Sequence, residues 1–169
     1  MEPESSPPDF GTARTCRRGR GFAEFAVGDA FRHHWGRTLG EADALLFATQ
    51  TLATNPLYLN AEAARGAGHP ALVVDPFLVL AVVIGLSVED LSERSEAFLG
   101  MDAVEFLEPV YPGDTLTAAS VVQAVRESRS RPGCGIVSWT TEGRNQRGRT
   151  VVRLSRSNLF RIEADDATD

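Results

Sequence analysis

Histidine is the first side chain to consider for acid–base chemistry, because its charge changes between about pH 5 and pH 8. The chain contains three histidines, His33, His34 and His69. His33 and His34 are adjacent in a segment with strand character, so their side chains point to opposite faces and only one can face a given pocket. His69 lies in a Gly-His-Pro loop. Any imidazole base must therefore be one of these three residues.

The remaining residue types exclude several classes of mechanism. All 17 basic residues are arginine, which excludes a lysine Schiff base and the lysine of a P-loop. Cys16 and Cys134 lie far apart in sequence, which argues against a disulfide framework and against a cysteine-based zinc site. The histidines and carboxylates lack the spacing of metal ligands, so we predict no metal. Neither a Gly-x-Ser-x-Gly motif nor a dinucleotide-binding glycine motif is present.

The composition is that of a folded globular protein. The chain has 169 residues, of which 43% are hydrophobic and 24% charged, enough for one domain with its own core. The net charge is −6, so we expect no nucleic-acid partner. No N-terminal apolar segment resembles a signal peptide, and we expect a cytoplasmic protein with no membrane association. We predict a flexible arm over residues 1–21, a folded domain over residues 22–162 and an acidic tail over residues 163–169.

The predicted elements make this an α+β domain. A strand is predicted over residues 29–37. It is followed by a helix that extends to about Leu52, with Thr38 and Glu41 as its capping box. A second, short helix is predicted over residues 61–65. From residue 98 onward the pattern changes to the strand period, which predicts four antiparallel strands over residues 98–107, 115–126, 136–143 and 150–162.

One segment is apolar on all sides. It runs from Phe77 to Leu86 and follows Asp75 and Pro76, which suit the N-cap and the first turn of a helix. Such a helix is either buried or membrane-spanning, and this run is shorter than the ~20 residues that a span needs. We therefore predict a buried central helix with the antiparallel sheet wrapped around it, a hotdog fold. Since the sheet would have an open edge, we expect at least a dimer.

Several sequence elements, in their order, resemble the MaoC-like hydratases and dehydratases. They are residues 28–29 (Gly-Asp), 37–43 (Arg-Thr-Leu-Gly-Glu-Ala-Asp), 47–48 (Phe-Ala), 55–57 (Asn-Pro-Leu) and 106–116 (Phe-Leu-Glu-Pro-Val-Tyr-Pro-Gly-Asp-Thr-Leu). Residues 73–91, followed by residues 99–101, are most similar to the mesaconyl-CoA and β-methylmalyl-CoA hydratase branch. The resemblance covers about residues 22–162. It implies a hotdog homodimer or heterodimer acting on acyl thioesters, with coenzyme A or phosphopantetheine as part of the substrate and no separate cofactor.

The resemblance also shows where this chain departs from the family. In active members a loop reads Asp-x-Asn-Pro-x-His, and its aspartate and histidine move protons between water and the substrate carbons. A backbone N–H at the start of the central helix stabilises the enolate oxygen. Here Asn55 and Pro56 match, but Ala53 stands at the aspartate position and Tyr58 at the histidine position. Alanine transfers no proton, and a tyrosine with an ordinary pKa near 10 is a poor base at neutral pH.

Three interpretations stay open. In the first, which we favour, the protein is a hydratase or dehydratase of an acyl thioester, or of a related biosynthetic intermediate, with a changed set of residues. In the second, the chain is the non-catalytic half of a heteromeric hotdog dehydratase. In the third, it is a binding or tailoring protein for a ligand that is not a thioester.

The candidate site residues follow from the resemblance and the predicted helix. Tyr58 is a candidate acid or oxyanion donor, and Asp75 is a candidate replacement base, although helix capping also explains Asp75. The candidates for substrate binding are Asn55, Asn60, Phe77 and His69. Arginines at strand ends and turns either hold the phosphates of the thioester or form a solvated rim; they are Arg126, Arg129, Arg131, Arg144, Arg147 and Arg149.

Overall fold

One antiparallel sheet and one central helix organise the chain. The computed structural model describes residue 11 and residues 18–162. A short helical turn over Phe22–Glu24 precedes the strands and helices, which are β1 (Ala30–Thr38), α1 (Glu41–Gln50), α2 (Pro56–Leu59), α3 (Ala61–Gly66), α4 (Pro76–Leu86), α5 (Val88–Leu91), β2 (Ala97–Phe106), β3 (Thr115–Glu127), β4 (Cys134–Arg144) and β5 (Thr150–Arg161). The last four strands agree with the predicted ones to within about two residues at each end. In β3, β4 and β5 the reason is a strong period-two pattern.

All five strands pair antiparallel in the order β1-β3-β4-β5-β2, so β1 and β2 are the two edges. Alternate residues of the inner strands are buried; in β3 these are Leu116, Ala118, Ser120 and Val122. This alternation defines one face of the sheet that covers the core and one face that is turned away from it.

Helix α4 packs on the covered face, against β1, β3 and β4. Its residues Val79, Leu80, Val82 and Val83 are buried. The helix approaches the sheet so closely that a Cβ atom at Gly143 would overlap Val83. The predicted buried central helix and the wrapped sheet are therefore confirmed.

Buried polar side chains interrupt the apolar face. The His33 ring lies 2.7 Å from Asp90 through Nδ1 and 2.9 Å from the Ser120 hydroxyl through Nε2. Arg156 donates to the Ser87 hydroxyl at 2.6 Å and lies over the Trp139 ring at 5.1 Å from its centroid. His33 is buried and His34 is exposed, so the prediction that adjacent strand positions face opposite sides is confirmed.

One predicted helix boundary was wrong. Thr38 is the last residue of β1, and its hydroxyl bonds to the Thr115 hydroxyl at 2.7 Å instead of capping a helix. The cap of α1 is Gly40, whose N–H donates to the Asp43 carboxylate at 2.9 Å. Strand pairing holds Thr38 out of reach of the first turn, which moves the cap two residues downstream. The short helix α2 was not predicted; it begins at Pro56, whose fixed φ suits the first position of a helix.

Most of the predicted arm and all of the predicted acidic tail lie outside the described residues, so their flexibility stays a prediction. Within the described end of the arm, Arg18 pairs with Glu89 at 3.4 Å, and the Arg20 guanidinium lies 4.9 Å from the centroid of the Phe31 ring. Over residues 18–162, no helix combines the length and the apolar character that a membrane crossing requires.

Candidate functional site

A cavity of about 290 Å³ lies beside the first turn of α4. Helix α2, the chain before α4, the end of β2 and the loop that follows β2 form its walls. Most of the lining side chains are apolar, among them Leu57, Val73, Val79, Phe106, Val110 and Val151. The polar side chains in the wall are Tyr58, His69 and Glu108. The cavity therefore suits an apolar group with a polar end.

Tyr58 reaches the cavity from α2. The Asn55 side chain caps this short helix, because its Oδ1 accepts the Leu57 N–H at 3.0 Å. Partial burial and, to a smaller extent, the negative charge of Asp75 raise the pKa of Tyr58 above its usual value. The phenol therefore keeps its proton at neutral pH. It can donate a hydrogen bond or a proton, and it is a poor base.

Asp75 is buried and holds the first turn of α4. Its Oδ1 accepts the Phe77 N–H at 2.8 Å. Its carbonyl oxygen accepts the N–H groups of Leu78 at 3.0 Å and Val79 at 3.2 Å. Pro76 has no N–H to donate, so the oxygens of Asp75 accept the N–H groups that the first turn of α4 presents. The N–H groups of Phe77, Leu78 and Val79 are therefore not available to an enolate, and Asp75 caps the helix and does not line the cavity.

His69 lines the cavity from the loop between α3 and α4. Its backbone N–H donates to the Ala64 carbonyl at 3.0 Å. The His69 Nδ1 atom lies 3.0 Å from the Tyr111 hydroxyl. The sequence predicted His69 as a site residue but gave no indication of its partner, because the two residues are 42 positions apart and neither belongs to a periodic element.

The remaining predicted substrate-binding residues have structural contacts. Asn60 caps α3, since its Oδ1 accepts the N–H groups of Glu62 at 3.0 Å and Ala63 at 3.1 Å. Neither Asn60 nor Asn55 lines the cavity. Phe77 is 63% exposed, and its ring meets the Phe106 ring edge-on, with 6.0 Å between the centroids. Phe77 therefore lies outside the cavity and supports one of its walls.

Glu108 and Phe106 are lining residues that the sequence did not predict as site residues. Both lie in the segment 106–116 that carried the family resemblance, and this position was the one signal that pointed to them. Glu108 is exposed and forms an ion pair with Arg149 at 3.4 Å.

Three of the six arginines proposed as phosphate ligands form ion pairs with carboxylates. Arg144 pairs with Glu142 at 2.8 Å, Arg147 with Asp114 at 3.3 Å and Arg149 with Glu108 at 3.4 Å. Arg126, Arg129 and Arg131 lie at the β3–β4 hairpin, whereas the cavity lies near the opposite end of β3. The geometry favours the solvated rim over a phosphate site at this cavity. Among the described residues, no three His, Cys, Asp or Glu side chains are grouped as metal ligands.

Comparison with known proteins gives consistent matches. A sequence profile described as mesaconyl-CoA hydratase matches residues 4–169. The mesaconyl-CoA hydratase of Haloarcula hispanica is 40% identical over 158 residues, which are 93% of this chain and 44% of that protein. A relative from Cereibacter sphaeroides with the same name is 35% identical over 143 residues, 85% of this chain and 41% of that protein.

A MaoC domain protein from Chloroflexus aurantiacus, among the solved structures, superposes with a TM-score of 0.83 at 28% identity, over 93% of this chain and 44% of that chain. The likeness confirms the predicted fold. The chain spans less than half the length of these three proteins.

Proposed function

The chain belongs to the mesaconyl-CoA hydratase family, and from this premise we propose that it adds water to, or removes water from, an acyl thioester. The observation that carries the proposal is the cavity of about 290 Å³ at the start of α4, with apolar walls and with Tyr58 and His69 facing it. This volume is at the lower end of the range for small-molecule pockets, which favours a short acyl group.

The thioester supplies its own coenzyme A or phosphopantetheine, so the proposed reaction needs no separate cofactor. Hydration of an enoyl thioester needs one group that takes a proton from water and another that protonates the α-carbon. We assign the second role to Tyr58, because burial and the charge of Asp75 keep its phenol protonated. For coenzyme A thioesters, the compartment we propose is the cytoplasm.

The other candidate residues support Tyr58 in this scheme. Asn55 caps α2, which carries Tyr58, and Asn60 caps α3, which follows it; these caps fix the phenol relative to the cavity. Asp75 fixes the first turn of α4. Phe77 supports the aromatic wall through Phe106, against which we place the acyl chain.

We propose that a second hotdog unit covers the β2 edge. Five apolar side chains on β2 and the residue after it are between 36% and 49% exposed: Phe98, Leu99, Met101, Phe106 and Leu107. An edge strand also presents unpaired N–H and C=O groups that another strand can pair with. The partner is either a second copy or a different hotdog chain. Because Phe106 and Leu107 also line the cavity, the partner would lie next to the acyl group.

A second candidate function is that of the non-catalytic half of a heteromeric dehydratase. It is favoured by Ala53 and Tyr58 at the proton-transfer positions. It is also favoured by Asp75, whose oxygens accept the N–H groups of the first turn of α4. In this case the chain holds the acyl group and its partner transfers the protons. Membership of the family disfavours the third interpretation, a ligand that is not a thioester.

One experiment separates the two functions. The purified chain is incubated with crotonyl-CoA, 2-methylcrotonyl-CoA and mesaconyl-CoA, and hydration is followed by loss of the enoyl absorbance. The catalytic proposal expects turnover by the chain alone and a loss of about 100-fold in kcat/KM for Tyr58→Phe. Turnover that requires a second hotdog chain with an intact Asp-x-Asn-Pro-x-His loop indicates the non-catalytic half. No turnover in either arrangement refutes both.

A further inference from the structure

We propose that His69 is the general base of this cavity and that Tyr111 positions its imidazole. The inference rests on the proposed function and deepens it, since it supplies the proton acceptor that Ala53 cannot provide.

Two backbone hydrogen bonds hold the loop that carries His69. The His69 N–H donates to the Ala64 carbonyl at 3.0 Å, and the Val73 N–H donates to the Leu57 carbonyl at 2.9 Å. These bonds tie the loop to α3 on one side and to α2 on the other. The imidazole is therefore presented to the cavity from a fixed backbone.

Tyr111 is itself anchored. Its backbone N–H donates to the Asp114 carboxylate at 3.0 Å, and the same carboxylate accepts from the side chains of Gln146 at 2.6 Å and Arg147 at 3.3 Å. The Tyr111 hydroxyl contacts Nδ1 of His69 at 3.0 Å. A base held by a third group that fixes its ring is the arrangement that activates bases in many enzymes. Among the described residues, Nε2 of His69 has no protein hydrogen-bond partner, and we assign this nitrogen to the attacking water.

The carboxylates near the cavity are less suited than His69 to the role of general base. Asp75 is 3% exposed, and its Oδ1 accepts the Phe77 N–H. Glu108 lies at the exposed rim of the cavity, where its carboxylate forms an ion pair with Arg149 at 3.4 Å. Among the side chains that line the cavity, His69 is thus the one that combines an imidazole with a partner that fixes its ring.

The proposed step balances as follows. In the tautomer where Nδ1–H donates to the Tyr111 oxygen, the Nε2 lone pair takes a proton from water. The water oxygen bonds to the β-carbon of the enoyl thioester, and the π electrons move to the α-carbon and the thioester carbonyl. The Tyr58 hydroxyl gives its proton to the α-carbon. The imidazolium proton then returns to the Tyr58 phenolate through solvent, so the net change is the addition of one water molecule.

The test uses the full chain and the three enoyl-CoA substrates named above. His69→Gln is expected to lower kcat/KM at least about 100-fold and to remove the acidic limb of its pH profile. Tyr111→Phe keeps the ring but removes the hydroxyl, and is expected to lower kcat/KM about tenfold and to shift that limb. Added imidazole should restore activity to His69→Ala, which a purely structural role would not predict. His34→Gln is the matched control, because His34 is exposed on β1 away from the cavity.

The outcomes separate the two proposals. A wild-type chain that turns over no thioester refutes the proposed catalytic function and this inference with it. A wild-type chain that is active, with a His69→Gln variant within twofold of it and an unchanged pH profile, refutes the inference alone. Loss of activity in His69→Ala without imidazole rescue, together with a lowered melting temperature, also counts against a catalytic His69.

Discussion

Replacing Asp75 by asparagine distinguishes a catalytic base from a helix cap. Asparagine keeps the Oδ1 atom that accepts the Phe77 N–H at 2.8 Å, but it cannot take a proton. If Asp75 were the base, Asp75→Asn would lower kcat/KM about 10²–10⁴-fold. Because the Asp75 carboxylate caps the first turn of α4, we expect Asp75→Asn to lower kcat/KM by no more than about threefold, well below the effect of removing a base.

The stability effects follow from the same contacts. Asp75→Asn retains the cap bond and loses the charge at the helix N-terminus, which costs about 0.3–1 kcal/mol. Asp75→Ala also removes the acceptor of the Phe77 N–H, and since this site is buried, we expect a cost of about 1–3 kcal/mol. For a chain of this size each kcal/mol lowers the melting temperature by about 2–4 °C. Asp75→Ala should therefore melt clearly below Asp75→Asn.

The assay combines thermal unfolding with kcat/KM on the thioester that the wild-type chain hydrates fastest. The expected pattern is a graded loss of stability, from wild type through Asp75→Asn to Asp75→Ala, with nearly unchanged activity in Asp75→Asn. An Asp75→Asn variant with wild-type melting temperature and a 100-fold lower kcat/KM would refute the capping assignment and restore Asp75 as the base.

Three further predictions concern the core. Burial lowers the pKa of His33, so as the pH falls below about 6.5 the unfolded chain binds a proton that the folded chain does not. The free energy of unfolding, measured in urea, should therefore decline below this pH. His33→Gln should make the decline smaller. Arg156 is 2% exposed, and burial lowers its pKa to about 10. Since no carboxylate of residues 18–162 forms an ion pair with it, Arg156→Met leaves no such partner unpaired and should change the free energy of unfolding by less than about 1 kcal/mol. A loss above about 3 kcal/mol would contradict this reasoning. Gly143→Ala places a Cβ atom against Val83 and should lower the free energy of unfolding by about 1–3 kcal/mol. Gly148→Ala is the control: Gly148 lies at an exposed turn with a φ of 74°, so this variant reports the effect of backbone strain alone.

The sequence was sufficient for the central helix and the strands. Helix α4 is apolar at every position from Phe77 to Leu86 and is preceded by Asp75 and Pro76, so burial and a start at Pro76 follow from local properties. Strands β3, β4 and β5 alternate with period two, since only one face of this antiparallel sheet is buried. These features depend on residues close together in the chain, which is why a single sequence predicts them.

Tertiary structure decided the roles of the site residues. In sequence, Asp75 fits both a site residue and a cap, and Asn55 was predicted to bind substrate. Only the positions of the Phe77 and Leu57 N–H groups show that both are caps. Likewise, Thr38 fits a capping box in sequence, but its pairing with Thr115 across the sheet keeps it in β1. The contact between His69 and Tyr111 joins two loops separated by 42 residues. Such a contact depends on how α3, α4 and the end of β2 pack together, and no local pattern encodes that packing.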